Sequence, residues 1–178
     1  MSDTYIVLSA IGKDRVGIVD EISAELEQYR VNIEESRMAV LGGEFAIIML
    51  ISGNSDDLAV LKSKGEEIGN TVSLRVEIKY TEAPGETGKG RPYVIETFSL
   101  DAPGIVHAVS AVLHRFNINI EDLETDTSAA PWTGAAMFHM KAHIIIPQSV
   151  SISSLRDQLM SLEHERDLDI NLKPVVAN

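Results

Sequence analysis

Residues 14–34 return 87 positions further on, and that repeat limits what this chain can fold into more than any other feature. Gly17 falls on Gly104, Asp14 on Asp101, Ile18-Val19 on Ile105-Val106, and Ser23-Ala24 on Ser110-Ala111. Leu26 falls on Leu113, and Asn32-Ile33-Glu34 on Asn119-Ile120-Glu121. Ten identities in 21 positions at one offset are far above chance, so the chain is an internal duplication. A length of 178 residues fits one domain or two. The offset decides for two, each of roughly 80 residues and able to hold a core. The boundaries read as a first domain over residues 1–80, a Gly- and Pro-rich linker over 81–92, and a second domain over 93–178.

Within the first copy, the apolar run Thr4–Ile11 reads as an interior strand, followed by the turn Gly12–Gly17. Ile18, Val19, Ile22, Leu26 and Tyr29 then recur at helical spacing, with Asp20, Glu21, Glu25 and Glu27 opposite. Val31–Leu41 and Glu44–Ser52 are strands joined by a tight turn at Gly42-Gly43. Ser55-Asp56-Asp57 is expected to cap a second helix whose buried face carries Leu58, Leu61 and Ile68, and Val72–Tyr80 is the fourth strand. The second copy repeats the order. Its strands are Tyr93–Leu100, Ile118–Thr127, Ala135–Ile146 and Leu168–Val175, with helix stripes at Ile105, Val106, Val109, Leu113 and Phe116, then at Ile152, Leu155, Leu159 and Leu162. Each half is therefore α+β, a ferredoxin-like β-α-β-β-α-β unit with an antiparallel sheet and both helices on one face. The right-handed crossover rule puts the first and third strands in the middle.

Charge narrows the function. The formal net charge is −12, with 27 acids against 15 bases and no Lys/Arg cluster, which opposes direct binding to DNA or RNA. The absence of cysteine excludes disulfides, thiolate metal sites and a cysteine nucleophile, and fits a cytoplasmic protein. No apolar run suggests a membrane span or a signal peptide. Neither Ser-His-Asp order, H-E-x-x-H, P-loop nor G-x-S-x-G occurs, so neither catalysis nor a cofactor is expected. His139 and His143 share a strand face with Lys141 between them, which reads as a solvated polar face rather than a metal pair. Glu34-Glu35 and Glu121-Asp122 could serve as a general acid and base, but they read better as edge-strand charges that block unwanted pairing.

A β-α-β-β-α-β unit with a D-x-x-G-I turn after its first strand and N-I at the start of its second resembles the ACT domain, a small amino-acid-sensing regulatory module. The resemblance spans both halves. Over Asn32–Phe45 and Ile48–Gly53 it narrows to stand-alone regulators built of two such domains. It implies a non-enzymatic regulator that senses glycine or a related small amino acid and acts through a partner protein, either a transcription factor or an enzyme. It also implies a ligand held between two modules, by the first-strand turn of one and the second-strand asparagine of its neighbour. Carried over, these positions are Asp14, Arg15, Val16, Gly17, Ile18 and Asn32, and then Asp101, Ala102, Pro103, Gly104, Ile105 and Asn119. The family often has Arg-Pro-Gly in the turn; here the copies have Arg15-Val16-Gly17 and Ala102-Pro103-Gly104.

The chemistry of these residues suits a zwitterion. Glycine lets a ligand approach the backbone, the helix start offers free N–H groups to a carboxylate, and aspartate can accept from an ammonium. Asparagine can donate to one end and accept from the other. The plain alternative is that Asp14 and Asp101 only cap their helices and the glycines only permit close packing. A protein-interaction module without a ligand, or a detached regulatory subunit of a metabolic enzyme, would also fit. The third strand of the first half adds an assembly signal. Phe45, Ile47, Met49 and Ile51 lie on one face and Ala46, Ile48 and Leu50 on the other, so both faces are apolar although helices cover one. Another sheet is expected on the open face, in a homodimer or between the domains. Trp132, in the loop Ser128–Gly134, is either a partner contact or a lid on its own core.

Overall fold

Alternation builds the sheets. In the first strand Ile6, Leu8 and Ala10 are buried, while Tyr5, Val7 and Ser9 between them remain half-buried on the opposite face. The computed structural model describes residues 4–83, 85 and 90–175. It divides into two units, Met1–Gly85 and Glu86–Asn178. The first contains β1 (Thr4–Lys13), α1 (Ile18–Glu27), β2 (Asn32–Leu41), β3 (Glu44–Gly53), α2 (Ser55–Ser63), α3 (Gly65–Val72) and β4 (Arg75–Thr81). The second contains β5 (Gly90–Leu100), α4 (Ile105–Arg115), β6 (Asn119–Ala129), β7 (Ala136–Pro147), α5 (Ile152–Arg166) and β8 (Asp169–Pro174). Each unit is a four-stranded antiparallel sheet, ordered β2-β3-β1-β4 and β6-β7-β5-β8, so the first and third strands of each copy are central as expected.

Helices cover one face of each sheet. In the first unit Ile18, Ile22 and Leu26 from α1, Leu58 and Leu61 from α2, and Ile68 and Val72 from α3 close over Ile6, Leu8, Phe45, Ile47, Met49 and Ile51. Ile105, Val109, Val112, Leu113, Leu155, Leu159 and Leu162 do the same in the second unit over Ile95, Met140, Ala142 and Ile144. Among the described residues no helix is long and apolar enough to cross a membrane. Both second strands are sheet edges and both carry a bulge at the same repeat position, Glu34 between Ile33 and Glu35 and Glu121 between Ile120 and Asp122. A charged bulge on an edge opposes further strand pairing, as the sequence suggested.

Several local expectations are corrected. The cap of α2 is Asn54, whose side chain accepts from the Asp57 N–H at 2.9 Å; Ser55 is the first helical residue. The single helix expected beyond it is two, α2 and α3, meeting at Lys64. The second piece lies close against the start of β4: a Cβ at Gly69 would lie 2.7 Å from the Leu74 carbonyl oxygen and 3.4 Å from the Val76 nitrogen. Val72 ends α3 rather than starting β4. Val19 is 44% exposed and lies off the core stripe, and Tyr29 and Phe116 lie just beyond their helices. β4 runs to Thr81 and β5 starts at Gly90, so strand pairing enters both ends of the expected linker; residues 84 and 86–89 of it lie outside the described residues. Trp132 is 96% exposed, so it does not cover its own core.

Removing the observed cap should be felt. Asn54→Ala is expected to lower unfolding stability by about 1 kcal/mol in urea titration, whereas Ser55→Ala should stay within about 0.5 kcal/mol.

Candidate ligand-binding site

The duplicated turn is fixed by its backbone. The Asp14 N–H donates to the Gly43 carbonyl at 3.1 Å, tying the turn to the β2–β3 hairpin, and the Asp101 N–H donates to the Ala136 carbonyl at 2.8 Å in the other copy. Gly17 and Gly104 then adopt left-handed conformations, with φ of +96° and +91°. A side chain there would cost about 1–2 kcal/mol, so glycine is required by conformation. It also leaves the approach open: a Cβ at Gly104 would meet nothing within 4 Å, and one at Gly17 only the Glu21 Oε1 at 3.6 Å.

The first intrahelical bonds run from the Glu21 N–H to the Gly17 carbonyl at 3.0 Å and from the Ala108 N–H to the Gly104 carbonyl at 2.9 Å. Three N–H groups ahead of each, at Ile18, Val19 and Asp20 and at Ile105, Val106 and His107, therefore have no helical acceptor. No side chain caps either helix. Asp14 and Asp101 are exposed and do not cap, which removes the plain structural alternative for them. Val16 is fully exposed and Ile18 is buried in the core. A helix start with uncapped donors, a glycine and a free carboxylate can receive a small carboxylate-ammonium ion.

Arg15 does something the sequence did not indicate. Its guanidinium makes a two-pronged pair with Glu21, one arm at 2.5 Å, and also donates to the Val72 carbonyl at 3.0 Å. The hydrogen bond to Glu21 holds the arginine above its usual range, and the same bond holds the Glu21 carboxyl below the ordinary carboxylate range. Arg15 thus staples the turn to the first helical turn and to the end of α3. Its counterpart Ala102 has no such group, and the second turn keeps the backbone bond from Asp101 to Ala136. Sequence spacing offered no signal for the clamp, since positions six apart become neighbours only because the turn folds back across the helix start.

Asn32 and Asn119 are held in the same way as each other. Asn32 Nδ2 donates to Glu34 at 2.8 Å, and Asn119 Nδ2 donates to Glu121 at 3.0 Å. In the first unit the buried Ser52 hydroxyl also donates to Glu34, and it leads Asn32 in lowering that carboxyl below its ordinary range. The repeated Asn-Ile-Glu triplet was visible in the sequence, but the pairing of its ends was not read from it.

The turn and the asparagine of one unit do not meet. Asn32 lies in the register row of Ser52 and Tyr5, while the turn leaves β1 beside Glu44 and Leu41. Eight residues of β3 separate those rows, about 26 Å at the rise of a strand. The same holds for Asn119, in the row of Ile145, and Asp101, bonded beside Ala136. In each unit the turn and the asparagine therefore lie at opposite ends of the sheet. On the open sheet face of the second unit, His139, Lys141 and His143 stand where the alternation put them; His139 stacks on Phe98 at 4.3 Å and faces Asp126 at 3.4 Å. No group of three or more His, Asp or Glu suited to a metal occurs among the described residues.

A family model described as the ACT domain matches residues 4–79. The glycine cleavage system transcriptional repressor of Escherichia coli is 29% identical over 161 residues, covering 90% of this chain and 85% of that protein. A UPF0237 protein of Methanopyrus kandleri is 37% identical over 83 residues, 43% of this chain and 92% of the relative. Among solved structures, a Galdieria sulphuraria protein superposes with a TM-score of 0.85 at 34% identity, over 98% of this chain and 100% of that one.

The arginine clamp has a pH signature. A carboxyl lowered by folding contributes stability that is complete above its unfolded value, about 4.3, and is lost as pH falls through the lowered folded value. Arg15→Ala is accordingly expected to lower the thermal midpoint at pH 7, with the gap closing in acid. A gap that stayed constant with pH would contradict the pairing.

Proposed function

Because the chain belongs to the ACT-domain family, we propose that it is a non-enzymatic regulator that senses a small amino acid, glycine or a close relative, in the cytoplasm. One observation carries the reading: two uncapped, glycine-opened helix starts sit beside exposed aspartates, each the length of a sheet away from a bulge-held asparagine. In this reading the ligand carboxylate meets the free N–H groups of Ile18–Asp20, and Asp14 accepts from its ammonium. The amide of Asn32 from another module, brought by a second copy of the chain, completes the shell. Glu34 sets the orientation of that amide, and Arg15 keeps the turn in shape rather than touching the ligand. Occupancy then favours one assembly over another, and a partner protein reads the difference. With a net charge of −12 the chain does not read DNA itself; the resemblance to a transcriptional repressor points to action through a DNA-binding partner.

A second reading has its own support. Arg15 and Asn32 are both already hydrogen-bonded within the chain, as they would be in an assembly module without a ligand.

Calorimetric titration with glycine, serine and a panel of amino acids separates the two. Saturable heat with one ligand, weakened at least about ten-fold by Asp14→Ala and by Asn32→Ala alike, is expected. Neither heat nor thermal stabilisation with any amino acid would leave the assembly module standing.

A further inference from the structure

The open face of the first unit's sheet is ordered in rows that the strand register defines. Glu35, Leu50, Val7 and Lys79 form one row from edge to edge; Arg37, Ile48, Ser9 and Glu77 form the next; Ala39, Ala46, Ile11 and Arg75 the third. The two central strands are apolar in the middle, with Ile48 and Ile11 each 50% exposed, and Tyr5, Val7, Ala46 and Leu50 half-buried. No helix of the unit covers this side.

We propose that this face binds the same face of a second copy, across a two-fold axis running along the strands between the stacked sheets. Sheets pack face to face about 10 Å apart with strands nearly aligned. That axis turns each row end for end, placing β2 of one copy over β4 of the other. Glu35 then lies over Lys79 of the second copy, and Arg37 over Glu77. In the centre Leu50 meets Val7, Ile48 meets Ser9 and Ile11 meets Ala46, so large side chains oppose small ones and the two faces interdigitate. The alternative axis, across the strands, would set Arg37 over Arg37 and Glu77 over Glu77, and is disfavoured by like-charge contact.

The duplicate supplies a contrast. Its rows read Asp122, His143, Val94, Lys173; then Glu124, Lys141, Glu96, Asn171; then Asp126, His139, Phe98, Asp169. The same operation would bury Lys141 and Glu96 in the centre and set Asp169 over Asp126. That face does not pair with itself. Four strands at about 4.8 Å and about seven residues of each give roughly 450 Å² of flat area per copy. With side-chain relief the total reaches the order of 1,000 Å², the lower end for a specific interface, so the dimer is reversible. This pairing stands or falls independently of any ligand.

Sedimentation equilibrium of the full chain tests it. The parent should show a concentration-dependent dimer. Ile48→Glu, with an unchanged circular dichroism spectrum as the folding control, should raise the dimer Kd at least about ten-fold. Glu35→Lys should weaken the dimer by roughly five-fold, and Glu35→Lys with Lys79→Glu in one chain should recover most of that loss. Three outcomes overturn the proposal: a parent that is monomeric at every concentration reached, a dimer indifferent to Ile48→Glu, or a double reversal that is no tighter than the single one.

Discussion

β1 and β2 run in the same direction, because each is antiparallel to the β3 that lies between them. Most of what the molecule can do depends on that. A chain leaving the top of β1 must return through α1 before starting β2 at the bottom, so the end of one strand and the start of the other are a sheet's length apart. The glycine turn and the asparagine are conserved between the two copies of this chain at those two places, where they cannot touch. A receptor made from both needs a second module. In the proposed sensor, recognition therefore requires a contact that brings the turn end of one module to the asparagine end of another, distinct from the pairing of open sheet faces, and that is the physical basis of the sensor reading.

The same topology leaves one face of each sheet without helices, and the two copies have used that freedom differently. The first keeps Ile11, Ile48 and Leu50 in its centre with charges of both signs on its edges, while the second has filled its centre with Lys141, His139, His143 and Glu96. The turns have diverged as well. Arg15 ties the first to Glu21 and Val72, and Ala102 leaves the second without that clamp. What stays common is a set of backbone features, although α2 and α3 stand where the second copy has α5 alone: a left-handed glycine in each turn, a bulge at the same repeat position, and a left-handed residue after the first helix of each copy, Arg30 and Asn117. Duplication has preserved the frame and let the surfaces specialise.

The frame was legible because repetition and alternation are local signals. Burial of Phe45, Ile47, Met49 and Ile51 against exposure of Ile48 follows directly from a period of two, and the strand order follows from crossover handedness. Where the sequence reading failed, the deciding contact was distant in sequence or depended on one backbone step. The helix breaks at Lys64 and its second piece lies against Leu74 and Val76, and Asn54 displaces Ser55 as a cap by a single position. Of the candidate site, the turn and its glycines were readable from their place between a strand and a helix. The partners of Arg15 and Asn32 were not, since Glu21 and Val72 reach Arg15 only through the folded turn, and Glu34 joins Asn32 to Ser52 only at the bulge.

The central claim is that one amino acid engages both half-sites at once. Nitrogen-15 chemical-shift titration of the full chain with glycine tests it most directly. The account predicts that the backbone amides of Ile18, Val19 and Asp20 and the side-chain amide of Asn32 shift together and saturate at one common Kd. Shifts confined to one end of the sheet, or two ends saturating at unrelated concentrations, would contradict a shared receptor.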